Sequence, residues 1–73
     1  MQPALEVHLV RVRTDDGDVE IWLAATPIDE ALDRVLDVIP EGWTVSLDPR
    51  QIGPEQIAVL NMTIGEIRRY QPV

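Results

Sequence analysis

Asp29, Glu30, Asp33 and Asp37 stand at offsets of one, four and eight residues. On a helix that spacing lines carboxylates along one side, where paired acids can transfer protons or hold a metal. They lie opposite an apolar stripe, so a solvated helix face with favourable acids in its first turn accounts for all four. Asp15, Asp16, Asp18 and Glu20 offer oxygens to a hard cation, though not at the spacing of an EF-hand. Aspartate and glycine are equally what a hairpin turn requires sterically. His8 is the only histidine and cysteine is absent, which excludes from this chain a catalytic triad and a multi-histidine or thiolate metal centre. A lone histidine on a strand reads as a half-exposed surface residue. The glycines at 17, 42, 53 and 65 are scattered, with no phosphate-cradling loop between a strand and a helix. No catalytic, cofactor or metal residue is therefore assigned, and the expectation is a protein that is not an enzyme.

The elements that would carry these residues are legible. Residues 4–13 and 18–25 are dense in Leu, Val and charged side chains, and Thr14-Asp15-Asp16-Gly17 between them is a turn signal; together they predict a β-hairpin. Alternation places Leu5, Val7 and Leu9 on one side with Val19, Ile21 and Leu23, and Glu6, His8, Val10, Val12, Glu20 and Trp22 on the other. Thr26-Pro27-Ile28-Asp29 predicts a helix with a threonine N-cap and proline at its first position. Ile28, Ala31, Leu32, Val35, Leu36 and Ile39 follow as a continuous stripe, so the helix spans about 27–39 and is expected to seal the Leu5/Val7/Leu9 side of the hairpin. Pro40-Glu41-Gly42 stops it. Trp43-Thr44-Val45-Ser46-Leu47 reads as a third strand with Trp43, Val45 and Leu47 toward the helix, ended by Asp48-Pro49.

The last third reads as one or two short helices, about 54–61 and 64–70. Gly53-Pro54-Glu55 is a start signal, Ile57, Leu60, Ile64 and Ile67 repeat at helical spacing, and Thr63-Ile64-Gly65-Glu66 has the form of a second capping box. The stretch from Pro54 to Tyr70 loosely resembles a DNA-binding helix-turn-helix, with Ala58 packing the first helix on the second. That resemblance would put Arg68, Arg69 and Tyr70 on a recognition helix. The chain departs from the pattern where Ala58 to Ile67 is about one residue short and Met62 replaces the usual turn glycine.

The 73 residues suffice for one small domain, 1–73, of α+β class and ββαβα order: an N-terminal antiparallel hairpin plus a third strand, the helix over about 27–39 on one sheet face, and the C-terminal helices. The net charge of −7 is uneven. Between residues 14 and 48 ten acids face Arg34 alone, while both ends are slightly basic. Such an acidic balance weighs against nucleic acid as a partner. No apolar run reaches membrane-span length and no basic leader opens the chain, so a cytoplasmic protein without a membrane partner is expected.

Val10, Val12 and Trp22, with Arg11 and Arg13 close in sequence, form an apolar surplus on the second hairpin face. Either the C-terminal helices cover it or it binds a partner, since aromatic and arginine side chains are enriched at interfaces. The leading reading is a noncatalytic interaction or accessory domain that binds another protein or itself through the hairpin face or a strand edge. A small nucleic-acid-binding regulator using Arg68, Arg69 and Tyr70 is the competing class, and an enzyme of unrecognised type the third.

Overall fold

A computed structural model describes residue 4 and residues 6–70. β1 (His8–Arg13) and β2 (Val19–Ala24) form the expected hairpin, followed by α1 (Ile28–Leu36), β3 (Thr44–Leu47), α2 (Pro54–Leu60) and β4 (Ile67–Arg69). The four strands make one antiparallel sheet in the order β3-β1-β2-β4, confirming the α+β class. The hairpin turn closes through Gly17 N–H to the Thr14 carbonyl at 3.1 Å and Thr14 N–H to the Asp18 carbonyl at 2.9 Å. Gly17 has φ 88°, a conformation that costs glycine little and other residues much.

β1 pairs Val10 with Trp22 and Val12 with Glu20, and on its other edge Val10 with Leu47 and Val12 with Val45. Paired residues share a face, so these lie together, and α1 packs on that face over Val10 and Val12. Val10, Val12, Ala24, Ala31 and Val35 form a fully buried cluster, with Trp22, Leu32, Ile39, Trp43, Val45 and Ile67 packed around it. Each buried valine contributes about 1.5–3 kcal/mol before chain entropy is charged against it. This corrects the expected arrangement: α1 covers the Val10/Val12/Trp22 face, not the Val7/Leu9 face. Leu5, expected on the Val7/Leu9 face, lies outside the described residues. The cause is on β1 itself, where the apolar set changes side between Leu9 and Val10. Beyond that point the Leu9 face continues as Arg11 and Arg13, which an apolar helix stripe cannot cover without burying charge.

The helix is shorter than its sequence stripe. Pro27 occupies the N-cap, and the Thr26 hydroxyl donates to the Pro27 carbonyl at 3.1 Å instead of accepting from the first turn. Ile28 and Leu36, at the edges of the stripe, stay exposed.

The second correction concerns residues 64–70, where a strand stands in place of a helix. Glu66 Oε1 does accept from the Thr63 backbone N–H at 3.0 Å, as a capping box would have it. Gly65, however, has φ 90°, which no right-handed helix tolerates. The segment is a turn, held by Glu66 N–H to the Thr63 carbonyl (3.0 Å) and Gly65 N–H to the Ala25 carbonyl (2.8 Å), and it delivers Ile67–Arg69 to the edge of β2. The order is thus ββαβαβ. Without a second helix, and with Ala58 exposed, a helix-turn-helix is not formed.

Candidate functional site

The face of the sheet turned away from α1 carries Leu9, Arg11 and Arg13 of β1, Val19, Ile21 and Leu23 of β2, and Thr44 and Ser46 of β3. Its Leu23 end is closed. Ala4, Val7, Leu23, Ala25 and Met62 form a second buried cluster under Leu9, Ile52, Ile57 and Leu60, so α2 and the turn after it roof that end alone. Met62 is 2% exposed and its carbonyl accepts from the Ala4 N–H at 2.8 Å.

Beyond α2 the face stays uncovered. A cleft of about 610 Å³ runs between α2 and the sheet, lined by Leu9, Ile21, Leu23, Ile52, Val59, Leu60 and Tyr70 among apolar or aromatic residues and by Arg50, Gln51, Glu55 and Gln56 among polar ones. A second depression of about 510 Å³ is lined by Arg11, Arg13, Val19, Ile21, Thr44, Ser46 and Arg50. Both include Ile21 and Arg50. They therefore adjoin, and together form a trough with most of its apolar lining at the α2 end, where Glu55 and Arg50 also stand, and a basic β3 end. Val59, Val19 and Tyr70 on its walls are 84%, 52% and 47% exposed, so its apolar lining meets water.

Asp48 fixes the basic end. Its side chain is fully buried, and it accepts from the Arg50 backbone N–H (2.9 Å), from Arg50 Nε on Oδ1 (2.9 Å) and from an Arg50 terminal nitrogen on Oδ2 (3.0 Å), with an Arg11 terminal nitrogen at 3.4 Å. These hydrogen bonds from Arg50, with the charges of Arg50 and Arg11, hold the Asp48 carboxyl well below the usual carboxylate range. Asp48 raises the Arg50 guanidinium in return. One anion thus orients two guanidinium groups whose outer edges remain exposed. Arg13 has no carboxylate within ion-pair distance among the described residues.

The sequence grouped Val10, Arg11, Val12, Arg13 and Trp22 as one candidate surface. The sheet separates them. Val10 and Val12 are fully buried beneath α1, and Trp22 packs beside them with its indole N–H donating to Glu20 Oε1 at 3.0 Å. Arg11 and Arg13 point to the opposite face and enter the trough. Arg68, Arg69 and Tyr70 separate as well. Arg68 donates to the Leu60 carbonyl at 2.8 Å and pairs with Glu66 at 2.6 Å, tying α2 to β4; Arg69 pairs with Glu20 at 3.5 Å; Tyr70 lines the cleft. The Thr63 backbone N–H, and then Arg68, lower the Glu66 carboxyl.

Arg50, Ile52 and Val59 were not singled out from the sequence. Asp48-Pro49-Arg50 carries the one available signal, since an aspartate that accepts from the backbone two residues on is a turn former. Its direction toward Arg11 is a tertiary fact. His8 Nε2 lies 2.6 Å from Glu6 Oε2, with no third side-chain partner among the described residues. Among the described residues no group of three or more His, Asp or Glu side chains could hold a metal, and no helix is long and apolar enough to cross a membrane. No protein-family model, curated protein or solved structure matches the chain.

Proposed function

We propose that the chain is a noncatalytic interaction domain that binds another protein through the sheet face opposite α1. One observation carries this reading: two adjoining depressions on the sheet face opposite α1 whose walls expose Val19, Val59 and Tyr70, although α1 buries Val10, Val12 and Ala24 completely on the other face. A small domain gains stability from every apolar side chain it buries, so a lining left in water is unexplained by folding and marks an interaction surface. The trough combines aliphatic, tyrosine and arginine side chains, the composition favoured at binding surfaces.

A symmetric pairing of two chains with its axis at the basic end of this face would set Arg11, Arg13 and Arg50 against their own copies, and like charges opposed across an interface are unfavourable. For that pairing a foreign partner fits better than self-association. The test is selection of displayed random peptides against the chain, followed by rescreening on Ile21→Lys and Asp33→Lys variants. Selected peptides should bind Ile21→Lys at least about tenfold more weakly and Asp33→Lys unchanged. Peptides insensitive to Ile21→Lys, or no selected peptide at all, would refute the reading.

A further inference from the structure

We infer that the partner presented to this trough is an acidic peptide segment with an apolar anchor, its carboxylates seated at the Arg11/Arg13/Arg50 end and its anchor between Ile21 and Val59. This rests on the reading of the trough as the binding face and adds the chemistry of the ligand. Charge complementarity argues it. The protein carries −7 overall, with Asp29, Glu30 and Asp33 exposed on α1 and Asp37 exposed at its C-cap, at the other side of the sheet. The β3 end of the trough is the reverse: its charged lining is arginine only, beside the hydroxyls of Thr44 and Ser46. Guanidinium groups with free donor edges match carboxylates in bidentate geometry.

Asp48 strengthens the case because it is buried and already saturated by Arg50 and Arg11. It holds two of the three cations in place and offers nothing to an incoming cation. The apolar end completes the match, since Ile21, Ile52 and Val59 would desolvate one aliphatic or aromatic side chain beside the acids. A nucleic acid would meet the same three cations, but the remaining field of the protein repels a polyanion. A peptide with one or two carboxylates suffers that repulsion far less.

The test is a positional-scanning library of fluorescein-labelled octapeptides, read by anisotropy against the wild-type chain and Arg13→Glu. Arg13 is the residue to reverse, because Arg11 and Arg50 also hold Asp48. Mixtures with Asp or Glu within a few positions of Leu, Ile, Val or an aromatic should bind best. Replacing those acids by Asn and Gln, or Arg13 by Glu, should weaken binding about tenfold. Peptides that bind the trough without preference for acids, or equally to Arg13→Glu, would overturn the inference and leave the interaction reading standing. Displacement of the peptides by oligothymidylate at equal charge concentration would overturn it in favour of general polyanion binding. Failure of every mixture to bind would remove the interaction reading itself.

Discussion

Arg50 grips the buried carboxylate of Asp48 with three donors, its backbone N–H at 2.9 Å, its Nε at 2.9 Å and a terminal nitrogen at 3.0 Å. The Asp48 backbone N–H meanwhile donates to the Leu9 carbonyl at 3.0 Å. One residue thus ends β3, tethers it to β1 and sets the arginines at the mouth of the trough. Asp48→Asn removes the anion while keeping the size. It should lower Tm by several degrees and weaken peptide binding together, because the guanidinium groups lose the charge that orients them. Differential scanning calorimetry and anisotropy on the same preparation check this; a Tm unchanged from wild type would show that the carboxylate does not support the fold.

The pH dependence of stability follows from Asp48 and Glu66. Both carboxyls are lowered in the folded state, so the unfolded chain takes up protons first as pH falls. Their stabilisation is fully present above the unfolded carboxylate range near about 4 and is lost as pH drops below it through the folded values. Urea unfolding between neutral pH and pH 3 should show a midpoint falling most steeply below about pH 4, with a shallower fall in Asp48→Asn. Equal slopes in the two proteins would contradict the assignment.

The two apolar clusters on opposite sides of the sheet make separate predictions. Leu23→Ala empties the cluster under α2 and should cost about 2–5 kcal/mol, against less than about 0.5 kcal/mol for Val59→Ala at the exposed wall of the trough. Val10→Ala and Val35→Ala share the α1 cluster. They should couple in a double-mutant cycle by more than about 0.5 kcal/mol, whereas Leu23→Ala and Val35→Ala should add. Chemical denaturation of the single and double variants decides it. Coupling of Val35 to Leu23 instead would place α1 on the wrong face.

Gly65 turns the chain into β4 at φ 90°. A side chain there would meet Arg34 no closer than 3.7 Å, so the cost of Gly65→Ala is backbone strain, about 1–2 kcal/mol. Amide exchange should quicken most in Ile67–Arg69 and their β2 partners Trp22–Ala24. Exchange accelerated uniformly over the sheet would show that β4 is not locally dependent on this turn.

The hairpin, α1, β3 and α2 were legible because each has a local cause: the Asp-Asp-Gly turn, the stripe through Ala31 and Val35, the alternation after Trp43, the proline at 54. What was not legible is what local patterns share. The Thr63 N–H to Glu66 carboxylate bond is the one a capping box would make at a helix start, but here the Glu66 N–H returns to the Thr63 carbonyl and Gly65 stands at φ 90°, so the segment turns. The face chosen by α1 also escaped, since Val7/Leu9 and Val10/Val12 are equally apolar and opposite in phase. Arg11 and Arg13 decide between them, because charge under a helix is costly while charge on an open face is not. The site escaped for the same reason: grouping Val10 through Arg13 by sequence merged two faces that the strand holds apart.

The central claim is that the binding face is the one opposite α1. Amide chemical-shift mapping on the ¹⁵N-labelled chain, titrated with the best acidic library peptide, tests it most directly. The expected result is perturbation at Leu9, Arg11, Arg13, Ile21, Arg50, Ile52 and Tyr70, with Ala31, Val35 and Ile39 unmoved. Shifts concentrated on α1 with the trough unmoved would contradict it.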